Sequence, residues 1–127
     1  KQGGARTAVS GMPMVQFSLV SMLEMVDEGV LSMERMVQLM CHNPATLFGI
    51  QDRGFIREGM MADLVLVRRD EVPYTIASSD VLSKCGWSPR EGDALHWRVM
   101  STWVNGECVW DGAKVHENVH GKPLCFN

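Results

Sequence analysis

Two histidines near the end of the chain have the spacing of a possible metal site. His116 and His120 form a His-x3-His pair, and on a helix both imidazoles would lie on one face, ready to bind zinc. The segment follows a predicted hairpin and leads into Gly-Lys-Pro, which disfavours a helix. No His-Glu-x-x-His motif is formed, although Glu117 follows His116 directly. We therefore interpret both histidines as surface residues and assign no metal ligand.

Three other side chains could act in acid–base chemistry. His42 precedes an Asn-Pro-Ala sequence and could serve as such a group, but we favour a polar residue near a helix end. His96 is most simply a strand residue. Asp63 is the one charge in an apolar run, and buried carboxylates need partners, so we favour a structural Asp hydrogen-bonded to backbone over a catalytic one. With no nucleophile elbow, P-loop or dinucleotide motif either, we assign no catalytic residue.

The composition is typical of a globular protein and disfavours a nucleic-acid-binding or membrane-spanning one. The 127 residues are 46% hydrophobic and 21% charged with a net charge of −3, which is typical of one globular core. There is no basic patch with interleaved aromatics, and no apolar run approaches the ~20 residues of a membrane span, so we expect neither nucleic-acid binding nor membrane insertion. The four cysteines form no Cys-x-x-Cys pair, and no signal peptide is visible. We expect free thiols and a cytoplasmic location, with two disulfides as the alternative.

The first half of the chain is predicted to be helical. Residues 1–13 are glycine-rich and form either a ligand-binding loop or a flexible end. Apolar residues at three- and four-residue intervals predict a helix over Val15–Val30 and a second one capped by Ser32, with a methionine-rich face in the core. A third helix is predicted to be capped by Asn43 and to end at Gly49.

The second half is predicted to be strand-rich. Ala62–Val67 is a continuous apolar run and should form a buried strand, followed by a charge cluster and a second extended piece. Ser78–Glu91 has no period and is predicted to be a long loop. A β-meander should start at Leu95, with a tight hairpin at Asn105-Gly106 and a further turn at Asp111-Gly112.

The junction of the two halves carries a family resemblance. Its motifs are Asn43-Pro44-Ala45 with Phe48-Gly49-Ile50, and Gly59 followed by Ala62-Asp63-Leu64-Val65-Leu66. The junction resembles the C-terminal part of the amidohydrolase superfamily of metal-dependent cyclic amidases. Two further segments, Ser10–Gln16 and Lys84–Gly92, resemble dihydroorotases within that superfamily. In the second segment, Arg90 replaces the usual Phe.

The resemblance implies an α/β fold. Residues 1–48 would be the last helices of a metal-dependent-hydrolase (β/α)8 (TIM) barrel, and residues 49–127 would form part of a small accessory β-sandwich domain. It also implies a zinc-dependent hydrolase of pyrimidine biosynthesis that interconverts N-carbamoyl-L-aspartate and dihydroorotate. The family's zinc ligands match no residue of this chain, so we expect it to be inactive alone. Ser10 and Gly11 match the family's substrate-binding loop, with Ser10 in place of a frequent Pro.

The resemblance further implies partners and leaves alternatives open. We expect a fragment, because the chain starts without Met, and we expect it to depend on the missing N-terminal part or to self-associate as a homo-oligomer. One alternative is a non-catalytic dihydroorotase-like subunit that scaffolds a partner enzyme. Another is a different cyclic amidase such as an allantoinase, although the segment Cys85–Gly92 counts against it.

Overall fold

The computed structural model describes residues 11–127, in which a helical part precedes a three-stranded antiparallel sheet. Short 3-10 turns at Val15–Phe17 and Ser78–Asp80 and a π-helical turn at Gln38–His42 accompany the regular elements. Within these residues, no helix is long and apolar enough to cross a membrane. The helices and strands are α1 (Ser18–Asp27), α2 (Met33–Val37), α3 (Asn43–Leu47), β1 (Leu64–Thr75), β2 (Ala94–Val104) and β3 (Glu107–Trp110).

The first predicted helix is confirmed, with a shorter α-helical part. A 3-10 turn opens it, α1 follows, and the chain leaves the helix through Gly29 at a φ of 71°, a left-handed conformation that favours glycine. Val20 and Leu23 are 3% and 1% exposed and form its inner face. The apolar periodicity therefore identified the buried side of this helix.

The prediction that a separate helix starts with Asn43 as its cap is wrong. Ser32 does cap α2, because its Oγ accepts a hydrogen bond from the Arg35 N–H at 3.2 Å. Asn43, however, has helical angles (φ −65°, ψ −45°), and its N–H bonds to the carbonyl five residues earlier. Pro44 lacks an N–H and would crowd the carbonyl four residues back, so the wider π-helical turn before it lets the helix continue. Asn43 is thus an internal residue of one interrupted helix.

The predicted end of that helix is confirmed. Gly49 has a φ of 60°; its N–H bonds to the Thr46 carbonyl at 3.3 Å and the Ile50 N–H bonds to the Ala45 carbonyl at 2.8 Å. This pair of bonds is a Schellman motif, which satisfies the last carbonyls of the helix. The C-terminal tail returns to this point and forms an antiparallel bridge between Ile50 and Phe126.

The predicted buried strand is longer and more exposed than expected. β1 begins at Leu64 and continues through the charge cluster, where the pairing with β2 is irregular between Arg69 and Tyr74. The sheet order is β1-β2-β3, so β1 is an edge strand. Its apolar residues are accordingly 39–55% exposed over residues 64–66, and the prediction of burial is wrong within the described chain.

The predicted hairpin is confirmed. Asn105 and Gly106 have φ values of 54° and 83° and connect β2 to β3, as a type I′ turn requires. The expected extended return after Asp111-Gly112 is reduced to a single bridge between Trp110 and Val115. The long loop between β1 and β2 is also confirmed, with one 3-10 turn at its start.

The core joins the helices to the sheet. Phe17 and Val20 pack against Ile76 and Leu95, which are 1% and 0% exposed. Of the predicted methionine-rich core face, Met36 is buried, whereas Met33 is exposed. The helical part therefore contacts the strands that flank the long loop.

Candidate functional site

The predicted substrate loop lies at the start of the described chain. Ser10 falls outside the described residues. Gly11 is exposed, and a side chain there would have no atom within 4 Å. The backbone that follows is ordered by local hydrogen bonds: the Phe17 N–H and the Ser18 hydroxyl both donate to the Met14 carbonyl, at 3.0 and 2.8 Å. Gly11 thus lies four residues before the 3-10 turn at Val15–Phe17, in which Phe17 is buried in the core.

Gln16 connects this segment to the long loop between β1 and β2. Its Nε2 donates to the Asp80 carbonyl at 2.6 Å, and its Oε1 accepts from the Leu82 N–H at 2.9 Å. Sequence reasoning missed this residue, because the partners are more than 60 positions away. The only sequence signal was its place at the end of the Ser10–Gln16 segment.

The segment Lys84–Gly92 is held by its own polar side chains. Cys85 Sγ lies 2.8 Å from the Ser83 hydroxyl and donates to the Trp87 carbonyl at 3.5 Å. The hydrogen bond with Ser83 lowers the pKa of the Cys85 thiol. Ser88 is 6% exposed, and its hydroxyl accepts from the Arg90 N–H at 3.2 Å. The four cysteines of the chain are free, as expected.

Glu24 on α1 binds the backbone of β2. Its Oε1 accepts the N–H groups of His96 and Trp97, at 2.5 and 3.2 Å, and its Oε2 lies 3.3 Å from His96 Nδ1. The irregular pairing between Arg69 and Tyr74 leaves His96 without a partner in β1. The carboxylate therefore takes the place of the missing strand partner, and His96 is a strand residue as predicted.

Asp27, one turn further along α1, extends this contact. Its Oδ2 accepts a hydrogen bond from the Trp97 indole N–H at 3.1 Å and from Arg69 Nε at 2.7 Å. Both acidic side chains of this turn are thus bound to the sheet. We interpret the contact as structural, because both carboxylates accept hydrogen bonds from the sheet.

Asp63 has the structural role that the sequence predicts. Its Oδ1 accepts the Asn105 N–H at 2.8 Å, and its Oδ2 forms an ion pair with Arg53. These contacts tie the start of β1 to the β2–β3 hairpin and to the connector before it. Asp63 is consequently occupied on both oxygens.

A wide cleft of about 1120 Å³ lies between the 3-10 turn at Val15–Phe17 and the face of the sheet. Arg68 and Arg98 both contact Asp70, at 2.6 and 2.9 Å, and Arg98 also lies 3.5 Å above the Tyr74 ring. The bond from Arg68, more than that from Arg98, lowers the pKa of Asp70. The charges of this cleft are therefore largely paired with one another.

The remaining histidines are engaged separately. His42 stacks on Phe55 with ring centroids 4.3 Å apart, and Arg57 lies over the same ring at 4.6 Å. His116 Nε2 lies 2.9 Å from Asp111 Oδ2, and this hydrogen bond, followed by the N–H groups of residues 114 and 113, lowers the pKa of Asp111 to about 2. His120 is exposed.

The described residues do not fit a zinc ion. No three His, Cys, Asp or Glu side chains of residues 11–127 come close enough together to hold a metal. Asp111, the acidic neighbour of His116, already accepts two backbone N–H groups at 3.0 Å through its Oδ1. No catalytic step through a metal can be built from these residues.

Comparison with known proteins identifies the relatives of this chain. It is 41% identical to a dihydroorotase of Halobacterium salinarum over 108 residues, and 29% identical to an allantoinase of Bacillus velezensis over 110. These matches cover 85% and 86% of the chain but 25% and 24% of the relatives, so the chain spans about a quarter of their length.

The structural comparison agrees with the sequence comparison. An L-hydantoinase (dihydropyrimidinase) from Arthrobacter aurescens matches with a TM-score of 0.74 and 33% identity, over 85% of the chain and 24% of that protein. The match confirms the predicted fold class, the last helices of a (β/α)8 barrel followed by part of a small β domain. The model of the amidohydrolase family matches residues 20–110. Together with the resemblance of the junction motifs, this places the chain in the amidohydrolase family.

Proposed function

We propose that the chain is the C-terminal portion of a zinc-dependent dihydroorotase, which interconverts N-carbamoyl-L-aspartate and dihydroorotate. The observation that carries the proposal is the higher identity to the Halobacterium dihydroorotase than to the Bacillus allantoinase over nearly the same share of the chain. The family match alone supports a cyclic amidohydrolase without choosing the substrate.

In this proposal the chain supplies part of the substrate side of the site. Residues 1–48 complete the barrel, with Ser10 and Gly11 in the substrate loop, and residues 49–127 form the accessory domain. Phe17 and Glu24 support this arrangement because both anchor the helical part to the sheet. The zinc ligands and catalytic groups belong to the N-terminal part, on which the chain depends for activity in a cytoplasmic homo-oligomer.

A chimera tests the substrate assignment. The C-terminal quarter of the Halobacterium dihydroorotase is replaced by these 127 residues, and dihydroorotate hydrolysis and zinc content are measured. The matched control carries the corresponding quarter of the Bacillus allantoinase. We expect turnover within about tenfold of the parent enzyme for the first chimera and a much larger loss for the control.

Two outcomes would contradict the proposal. The first is a chimera that melts cooperatively and holds zinc, yet turns over dihydroorotate no better than the control; turnover of allantoin instead would favour the allantoinase alternative. The second is dihydroorotate hydrolysis by the 127-residue chain alone with added zinc. That result would show that the catalytic groups lie within this chain.

A further inference from the structure

The side-chain amide of Gln16 pairs with the long loop as a neighbouring strand would. It donates to the Asp80 carbonyl and accepts from the Leu82 N–H, so one planar group satisfies a donor and an acceptor two residues apart. A carboxylate could not make both bonds when ionised, because it has no proton to donate. Geometry therefore selects an amide at this position.

Both ends of this connection are anchored in the core. On one side, Gln16 is followed by Phe17, which is 5% exposed. On the other side, the loop leaves the core at Ile76 and returns to it at Leu95, at 1% and 0% exposure. These three apolar residues belong to one cluster. The Gln16 amide thus fixes the near end of the loop relative to the turn that precedes α1.

The same turn sets the direction of the chain toward Gly11. The Phe17 N–H and the Ser18 hydroxyl hold the Met14 carbonyl, and the Met14 N–H bonds to the Met12 carbonyl at 3.0 Å. Movement of Gln16 would therefore be passed through a short hydrogen-bonded segment to the predicted substrate loop.

We propose that Gln16 is a positioning residue that orients the chain at Gly11, the described end of the predicted substrate loop, by fixing the following turn to the Asp80–Leu82 backbone. The inference rests on the proposed function, because it requires that this loop contacts dihydroorotate. Gln16 itself does not touch the substrate in this scheme. It acts on substrate affinity through the loop rather than on the chemical step.

The test compares Gln16→Ala and Gln16→Glu with Gln38→Glu in the full-length enzyme that carries this chain. Gln38 lies on an exposed helical surface and contacts Arg35 at 3.3 Å, so its variant makes the same chemical change away from the loop. Steady-state kinetics give KM and kcat for dihydroorotate, and hydrogen exchange reports the protection of the Leu82 N–H in the same proteins.

Loss of the two hydrogen bonds in Gln16→Ala should raise KM about tenfold and change kcat less than about threefold. The Leu82 N–H should exchange faster, and Gln38→Glu should match the unmodified enzyme. In Gln16→Glu the ionised carboxylate faces the Asp80 carbonyl at the position of Nε2. Its KM, divided by that of the unmodified enzyme, should therefore fall as the pH is lowered from about 8 to about 5, because protonation restores a donor.

Three results would overturn the inference. Unchanged Leu82 exchange in Gln16→Ala would show that the amide does not hold the loop. Faster exchange with unchanged KM would show that the connection does not position the substrate loop. A fall in kcat at constant KM would place Gln16 in the chemical step. An unmodified enzyme without dihydroorotate turnover would instead contradict the proposed function, and the exchange measurement separates the two failures.

Discussion

Replacement of Glu24 by alanine should be among the most damaging changes at the contact between helices and sheet. The Glu24 side chain is 16% exposed and satisfies the N–H groups of His96 and Trp97 on β2. β1 offers no replacement acceptor for His96, because the strand pairing skips this residue, whereas Trp97 lies opposite Arg69. Alanine would remove the carboxylate that accepts both N–H groups.

The size of the effect follows from these two donors. A buried donor left unsatisfied costs about 1–3 kcal/mol, so loss of both acceptor contacts in Glu24→Ala should lower the free energy of unfolding by about 2–6 kcal/mol. At about 4 °C per kcal/mol for a chain of this size, the melting temperature should fall by about 8–24 °C. Glu24→Gln keeps one acceptor oxygen but loses the charge, and it should cost about 1 kcal/mol.

Thermal unfolding followed by circular dichroism and tryptophan fluorescence measures both variants. Trp97 reports the contact directly, because its indole N–H bonds to Asp27 on the same helix. Glu28→Ala is the matched control, since Glu28 is exposed at the end of α1 and should change the melting temperature by less than about 2 °C. Equal melting temperatures for Glu24→Ala and Glu28→Ala would refute the reasoning.

Two further predictions concern the connector and the β3 turn. Gly54→Ala should destabilise by about 2–4 kcal/mol in a melting experiment, because the new Cβ would lie 2.3 Å from the Cβ of Ala45 at a φ of +86°. Gly59→Ala, with a φ of +84° and open space, should cost only about 1 kcal/mol, and an equal loss in both would show that the overlap is relieved without cost. The folded-state pKa of Asp111 is about 2, below its ordinary 3.8, so its bond to His116 stabilises above pH 3.8 and is lost as the pH falls toward 2. Acid titration of Asp111→Asn should show a weaker loss of stability over that range, and an unchanged acid profile would contradict the assignment.

Local signals in the sequence were sufficient for the ends of several elements. The Ser32 cap, the left-handed Gly49 and the Asn105-Gly106 turn each act between residues a few positions apart, so their types alone determine the geometry. The same kind of signal gave a wrong prediction at Asn43. An Asn-Pro pair is typical of a helix start, but here it continues a helix after a π-helical turn. Local chemistry does not distinguish these two uses.

The contacts that define the candidate site were beyond sequence reasoning. Gln16 and Glu24 bind backbone groups 64 to 73 positions away. Because almost any residue type can offer a backbone N–H or carbonyl, the partners' side chains give no signal in the sequence. The long loop was predicted only as a loop, and the irregular pairing that exposes the His96 N–H depends on the register of two strands. Such contacts appear only when the fold brings the segments together.

The apolar run at the start of β1 predicts a buried strand, but the described residues leave it exposed. Apolar residues at every position favour a strand that is covered on both faces. In this chain Leu64, Val65 and Leu66 are 39%, 46% and 55% exposed on an edge strand. Full burial of such a side chain is worth about 1.5–3 kcal/mol, so a surface that covered all three would gain several kcal/mol. The chain spans about a quarter of the length of its relatives. In the proposed full-length dihydroorotase, we therefore expect residues outside this sequence to cover these three side chains.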